Sequence, residues 1–456
     1  MRIASKTTTA VQLVKEALEK AKHYSDYNIF TSICEEKAMK KAAEIDAKIE
    51  RGEKVGRLAG VPFAAKDNFL TKGDETTASA HILEGFISPI DATSVAKLEA
   101  EDAILIGHTN CDAFAHGSST ENSYYGPTLN AFDRERVAGG SSGGSAVAVA
   151  LDIVEFTTGS DTGGSIRQPA SFNGVYGLKP TFGCISRYGV VAMASSTDCV
   201  GFFTKTPEDM DLLMSITSGQ DTKDMTTLPN YYNESKHKKV KKVGIIKDFD
   251  NDAVQPEIRK ALKDKCESLK KKGYEIVELE MPALKYALAA YYIIVPAEVA
   301  SNLSRFDGVR YGFRSENSKD LSSLYLNTRG EGFMPENKRR IMIGNFVLSS
   351  GFYDAYFLKA AKARTLIVQE YEKAFSKCDV IISPVSPNQA FKLGEKVDNP
   401  VAMYLEDMMS VSLNLAGVPG LAIPVGKTAN GLPLGLQLIG PRRSDKTLIE
   451  FSKELS

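Results

Sequence analysis

Two glycine-serine loops and one upstream lysine are the residues of this chain best suited to chemistry. The first loop reads Gly139-Gly140-Ser141-Ser142-Gly143-Gly144-Ser145; the second reads Gly159-Ser160-Asp161-Thr162-Gly163-Gly164-Ser165-Ile166-Arg167-Gln168-Pro169. Ser165 follows two glycines, and the spacing predicts that it opens a helix with Pro169 still in the first turn, where proline is tolerated. A nucleophile there has free N–H groups and the positive end of a helix dipole beside it. Glycines let the main chain approach a substrate carbonyl, so the N–H groups of Thr162, Gly163 and Gly164, running on to Ser165, form a candidate oxyanion hole. A serine hydroxyl stays a weak nucleophile until a base removes its proton.

Histidine is the usual base, but none of the five here (His23, His81, His108, His116, His237) sits in a triad setting. They read as packing or surface residues. Lys66 is the better candidate, because it ends the apolar run Gly60-Val61-Pro62-Phe63-Ala64-Ala65-Lys66, which reads as a buried strand. A lysine in an apolar site loses ammonium solvation, and its lowered pKa leaves it neutral enough to act as a base. Ser141 is placed to relay the proton between Ser165 and Lys66. Two other motifs are excluded. Gly140-Ser141-Ser142-Gly143-Gly144 spells a G-x-S-x-G elbow, but only His237, in a lysine-rich stretch, follows it. The same loop lacks the lysine of a phosphate-binding Walker loop.

The elements that position these residues read as an α/β alternation. Residues 8–24 and 35–51 carry helical periodicity, through Val11, Val14, Leu18 and Ala21 and then Ala38, Ala42, Ile45 and Ile49, with Gly52 as a stop. Both are expected to clamp onto the outside of a sheet. Ala92–Ala100 reads as a helix and Ala103–Gly107 as a strand; Val243–Ile246, Pro256–Lys272 and Tyr274–Leu279 read as a β-α-β unit, either on the same sheet or in a small lobe spanning 240–285. The basic run at 236–242 reads as a solvated linker into that unit, with contact to nucleic-acid phosphates as the other reading.

With 456 residues and 43% hydrophobic content the chain can bury a large core, and 56 basic against 57 acidic residues make no polycation. Its six cysteines show neither C-x-x-C nor zinc spacing, so reduced thiols, a cytoplasmic setting and no metal are expected. No apolar run is read as membrane-spanning, and no membrane partner is expected.

The loops resemble the amidase signature family, whose hallmark is GGSSGGSA followed by GSDTGGSIRQPA with an upstream lysine after a GVP-type strand; Ser141 and Ser165 stand 24 positions apart, the family's spacing. The resemblance implies an α/β fold made of one large twisted mixed β-sheet covered by helices on both faces, spanning 1–456 as a single domain with residues 1–55 packed on it. It also implies a Ser–cisSer–Lys triad of Ser165, Ser141 and Lys66. Asn110–Ser123 is similar to the NMDEFAMGSSTENS stretch of one branch, the A subunits of tRNA-dependent amidotransferases, and departs from it at Cys111, Ala113 and His116. Residues 177–201, Ser301–Gly312 and Lys338–Ile341 resemble that branch too.

From the branch follow several expectations. The substrate is glutamine, hydrolysed to glutamate and ammonia, with Arg340 on its α-carboxylate, Asp407 on its α-ammonium and Tyr291 nearby. A guanidinium and a carboxylate match those two groups chemically. The ammonia amidates glutamate, or aspartate, mischarged on tRNA that is bound mainly by a partner. No motif here holds ATP, so ATP and Mg belong to a B subunit, with a small C subunit completing a heterotrimer. The other enzyme reading is a free-standing amidase acting on small amides.

Overall fold

The computed structural model describes residues 8–249 and 251–455, so residues 1–7 of the N-terminal segment lie outside it. Eleven strands form one sheet: β1 Phe30–Ile33, β2 Pro62–Lys66, β3 Ile104–Thr109, β4 Phe156–Asp161, β5 Tyr176–Lys179, β6 Cys199–Thr204, β7 Lys242–Ile246, β8 Glu275–Leu279, β9 Val380–Pro384, β10 Gly420–Lys427 and β11 Pro433–Ile439. Their order is β1-β3-β2-β4-β6-β5-β10-β11-β9-β7-β8. β3, β2 and β4 run parallel, as do β9, β7 and β8, and the centre and the β1 edge are antiparallel. The sheet is therefore mixed.

Both faces are buried, which is why the strands read as continuous apolar runs rather than alternating ones. Phe63 and Ala65 join one core and Ala64 the opposite one; Leu105 faces away from Ile104 and Ile106. One face is covered near the β1 edge by the helices Ala10–His23, Glu35–Glu50 and Gly143–Ala150. The other carries Thr93–Ala100, Pro207–Thr217, Pro256–Lys271 and Asp445–Lys453. The segment 240–285 is not set apart: β7 pairs with β9 and β8, so it extends the main sheet.

The first helix is rotated from its expected face. It buries Ala10, Leu13, Val14, Ala17 and Ala21, leaving Val11 and Leu18 only partly covered. Small alanines set this seam because the helix lies close against its neighbours, so volume rather than hydrophobicity alone chooses the face. In the second helix Ala38, Ala42 and Ile45 are buried as expected, while Ile49 is exposed. The strand expected at Ala103–Gly107 runs on to Thr109, through the polar His108 and Thr109. The 236–242 run does lead into β7, with Lys238 on Asp379 at 2.7 Å and Lys242 on Glu275.

A third core lies under the helices Ala287–Asn302, Pro335–Leu348 and Lys359–Phe375. The helical stretch Pro282–Arg305 is long and apolar enough to cross a membrane, which corrects the expectation that no run is. Here 56% of its apolar window is buried inside the fold, as in a core helix. It crosses Pro335–Leu348 at Gly344, where an added Cβ would lie 2.0 Å from the Pro296 carbonyl oxygen. Gly344→Ala must push the helices apart and is expected to cost about 1–3 kcal/mol. Urea unfolding of the variant checks this; an unchanged midpoint would mean the crossing yields freely.

Candidate active site

β2 and β4 are parallel neighbours, so their carboxyl ends open on the same edge of the sheet, where ligands bind in open α/β folds. Lys66 is the last residue of β2 and Asp161 the last of β4, with Ser165 in the turn that follows. β3 ends beside them at Thr109 and feeds the stretch Asn110–Ser123.

Lys66 is fully buried, and its Nζ donates to Ser141 Oγ at 2.7 Å and to Ser160 Oγ at 3.0 Å. Asn68 Nδ2 also donates to Ser160 Oγ, at 3.0 Å, which fixes that hydroxyl. Burial pulls the Lys66 pKa below the ordinary lysine value, against a weaker opposite pull from Cys111, Asp112, Asp161 and Asp198. The peptide between Gly140 and Ser141 is cis. The two serine loops touch, since Ser142 N–H donates to the Ser165 carbonyl at 3.2 Å and Gly140 N–H to Gln168 Oε1 at 3.1 Å. Ser165 keeps 8% of its surface open, whereas Ser141 has none.

The polar stretch 110–123 proves to be the cradle of the first loop. Asp112 accepts the N–H groups of Thr120 at 2.9 Å and Asn122 at 3.0 Å, while its own N–H donates to the Ser141 carbonyl. Thr120 Oγ1 donates to the Gly139 carbonyl and accepts from Gly143 N–H. Glycine is required by proximity: a Cβ on Gly140 would lie 2.2 Å from Asp112 Oδ2, and one on Gly143 would lie 2.3 Å from Thr120 Oγ1. Ala113, where the related stretch carries a carboxylate, packs into the apolar core.

The helix after Ser165 begins at Arg167, two residues later than expected, and is six residues long. The reason is Asp161. Its carboxylate accepts the N–H groups of Gly164 at 2.9 Å and Ile166 at 3.1 Å, holding the residues around Ser165 in a turn. The Gly164 N–H is therefore already bonded, which removes it from the expected oxyanion donors. The N–H groups of Gly163 and Ser165 have no acceptor among the described residues. Thr162 is pinned by its hydroxyl, which donates to Asp198 at 2.7 Å.

Arg167, wholly buried, grips Asp161 with Nε at 3.1 Å and Nη2 at 3.0 Å. Its remaining hydrogens reach Asn414 Oδ1 at 2.7 Å, Gln437 Oε1 at 3.0 Å and the Ser410 carbonyl at 3.1 Å. Burial would raise the Asp161 pKa, but Arg167 overrides it and holds the value at about 2. Asp161 and Arg167 both stand in the second motif, six positions apart; sequence reasoning passed over them because it sought only the nucleophile and its base.

Arg340 and Asp407 are both buried. Arg340 Nε donates to Glu336 Oε1 at 2.8 Å, one helical turn away, and its guanidinium lies 5.3 Å from the Tyr292 ring centre. Asp407 accepts from Ser118 Oγ at 2.8 Å and Tyr292 Oη at 2.7 Å, so Tyr292 rather than Tyr291 joins the two charged residues. Tyr291 is instead pressed on the nucleophile turn: a Cβ on Gly163 would lie 2.5 Å from its hydroxyl. Ser410 ties the groups together, donating to the Gly163 carbonyl three residues after Asp407. Beside Arg340 opens a cavity of about 210 Å³, whose wall includes Asp112, His116, Ser118, Glu336 and Tyr404. Sequence reasoning assigned no role to Tyr292, Ser118, Glu336 or Tyr404, whose side chains meet only in the fold.

No histidine comes to the serines. His108 bonds Thr71, His81 stacks on Tyr124, and His116 bonds Asn337. The ligand atoms of Cys34, Asp74 and His108 come within 4.8 Å of one another, a grouping the cysteine spacing does not reveal. Asp74 is paired there with Lys37 at 2.7 Å, so the group is already balanced by a cation.

A buried lysine on one serine and a second serine in a short turn at a strand's carboxyl end is the arrangement that the amidase resemblance implies. The amidase family model matches residues 12–449, and the chain belongs to that family. It is similar to the A subunit of glutamyl-tRNA(Gln) amidotransferase from Koribacter versatilis, 48% identical over 432 residues covering 94% of this chain and 90% of the relative. The corresponding protein of Heliobacterium modesticaldum is 47% identical over 456 residues, 99% of this chain and 93% of the relative. Among solved structures, the A subunit of glutamyl-tRNA(Gln) amidotransferase from Thermotoga maritima matches with a TM-score of 0.78 at 38% identity, covering 96% of this chain and 90% of its own. A structure described as an amidase matches at 0.84 and 31% identity, covering 98% and 97%. The expected fold class, a large mixed sheet sheathed by helices, holds.

Replacing Arg167 by Ala leaves the Asp161 carboxylate buried and unpaired, with an expected loss of about 3–5 kcal/mol in urea unfolding. Because the folded Asp161 value is held near 2, below its ordinary 3.8, this stabilisation is present above pH 3.8 and fades as pH falls through 2. A loss under 1 kcal/mol would show the pair to be replaceable.

Proposed function

We propose that the chain is the glutaminase component of a tRNA-dependent amidotransferase, with Ser165 as nucleophile, Ser141 as relay and Lys66 as base. The observation that carries this reading is the fully buried Lys66 amine 2.7 Å from Ser141 Oγ, in the loop that touches Ser165. Neutral Lys66 takes the Ser141 proton as Ser141 takes that of Ser165, and Ser165 Oγ bonds to the side-chain amide carbon. The C–N bond breaks, the relayed proton returns to the leaving nitrogen as ammonia forms, and water cleaves the glutamyl ester to glutamate. The N–H groups of Gly163 and Ser165, with that of Thr162 beside them, stabilise the oxyanion by roughly 3–4 kcal/mol per donor.

Arg340 and Asp407 suit the two charges of an amino acid. Arg340 can leave Glu336, and Asp407 its two hydroxyl donors, for a bidentate carboxylate and an ammonium. This favours glutamine over small neutral amides, the free-standing amidase reading. The ammonia then serves Glu-tRNA(Gln), with Asp-tRNA(Asn) as a second acceptor. ATP and Mg are used on a B subunit, while a C subunit completes the trimer. An exposed apolar run, with Met342, Phe346, Phe352, Tyr353 and Tyr356, offers the kind of surface that partner chains cover.

Ser165→Ala should abolish glutamine hydrolysis and Lys66→Ala should cost nearly as much, since relay members act as one unit. The kcat profile should rise with pH to a plateau reached below the ordinary lysine range, because the base works only when neutral and burial lowers its pKa. Full activity in Lys66→Ala, or a profile rising only above about pH 10, the ordinary lysine range, would remove Lys66 from the mechanism.

Arg340→Ala and Asp407→Asn should each lower the ratio of glutamine to uncharged-amide hydrolysis by roughly 30-fold or more. Burial raises the Asp407 carboxyl to about 7, so it is protonated below that pH and unable to pair an ammonium. KM for glutamine should accordingly climb as pH falls below about 7, up to roughly tenfold per unit. Equal losses on both substrates would count against amino-acid recognition. So would high activity of the lone chain that no companion protein or charged tRNA alters.

A further inference from the structure

His116 lies in the wall of the Arg340 cavity, wholly buried, at a position where the related stretch carries methionine. Its tautomer is set by its neighbours. Asn337 Oδ1 accepts from Met334 N–H at 3.2 Å, and Asn337 Nδ2 donates to the Ala113 carbonyl at 2.8 Å. A main-chain N–H can only donate and a carbonyl only accept, so the Asn337 amide has one orientation. Its Nδ2 also faces His116 Nδ1, which must therefore accept. In a neutral imidazole the proton then sits on Nε2. Burial, reinforced by the Arg340 charge, holds the imidazole pKa well below its usual value, so the ring is neutral. The resulting Nε2–H is buried and has no partner among the described residues. Buried donors are nearly always satisfied, so one left open in the wall of a binding cavity calls for a ligand acceptor.

We infer that His116 Nε2–H donates a hydrogen bond to the α-carboxylate of the bound amino acid, beside the Arg340 guanidinium. The inference rests on the amino-acid reading of the site above and deepens it. Arg340 supplies charge, while the neutral imidazole supplies a directed donor that adds no second positive charge beside it. Asn337 is then a positioning residue: it acts only by fixing which nitrogen of His116 bears the proton.

The test compares L-glutamine with 4-aminobutanamide, which is glutamine without its α-carboxylate. Both are assayed on the full chain together with any partner that co-purifies. His116→Met should lower the ratio of kcat/KM for glutamine to that for 4-aminobutanamide by about tenfold, chiefly through KM. His116→Gln, which keeps an N–H of similar reach, should hold the ratio within about threefold of the parent. A parent enzyme that prefers glutamine while His116→Met leaves the ratio unchanged overturns the inference and spares the amino-acid reading. A parent with no preference for glutamine overturns that reading, and this inference with it. Equal loss on both amides in both variants would make His116 structural and overturn the inference. A structure of the Ser165→Ala chain with glutamine bound gives an answer independent of variant folding: Nε2 roughly 3 Å from a carboxylate oxygen supports the contact. A separation beyond about 4 Å refutes it.

Discussion

The site hangs on the buried Asp161–Arg167 pair. Asp161 closes β4 and Arg167 opens the helix after it, so their ion pair spans the turn that presents Ser165. Taking both charges out of water costs several kcal/mol, which mutual attraction repays only when every remaining hydrogen-bonding group is met. Here they are met by Asn414, Gln437 and the Ser410 carbonyl, and Asn414 donates back to Asp161 at 3.0 Å. Those partners come from a distant helix and from β11, so the pair also stitches the C-terminal third of the chain to the turn that carries Ser165. Asp407 precedes Ser410 by three residues, so the Ser410 bond to the Gly163 carbonyl also ties Asp407 to the turn that carries Ser165.

A second constraint is distance. Neither serine loop could approach its neighbours if its glycines carried side chains, and several of the neighbours that come close are polar. Asp112 and Thr120 meet the first loop; Tyr291 and Ser410 meet the second. Buried polar cradles of this kind are costly when half satisfied, so a full set of donors and acceptors fixes one geometry. The departures of this chain lie within the stretch but not at Asp112 and Thr120, whose side chains hold the loop. Cys111 packs against Ser79, Ala113 joins the apolar core, and His116 reaches the Arg340 cavity, while Asp112 and Thr120 hold the loop.

How much of this the sequence revealed differs from feature to feature. Lys66 was legible because an apolar run ending in lysine is physically costly and therefore meaningful, and the glycine loops because only close approach demands such density. The alternating α/β pattern carried the fold class. The rotation of the first helix was hidden, since alanine periodicity is ambiguous until a neighbour's surface chooses among faces. The loss of Gly164 as an oxyanion donor was hidden too: nothing in the motif says that Asp161 turns back on its own loop. Tyr291 lies near Arg340 and Asp407, but the hydrogen bond of its neighbour Tyr292 to Asp407 was hidden: adjacent helical residues point about 100° apart, and only the packing of that helix decides which one bonds the carboxylate.

Why a lysine suits the role of base follows from comparing two buried basic side chains in this same sheet. Lys66 and His108 are both fully buried at the carboxyl ends of neighbouring strands, β2 and β3. Burial favours the neutral form of each and lowers both pKa values. For His108 the result is about 4, from an ordinary 6.5, which leaves an imidazole too weakly basic to take a serine proton near neutrality. Lysine starts from 10.5, so the same desolvation moves it toward the working range instead of out of it. A site this dry leaves a histidine neutral and weakly basic and moves a lysine toward the range in which it can act as a base. Lys66 and Ser141 are fully buried, whereas Ser165 keeps a small opening to the outside. Which of the two side chains could serve as a base near neutrality is thus a consequence of how deeply the sheet buries the strands that carry them.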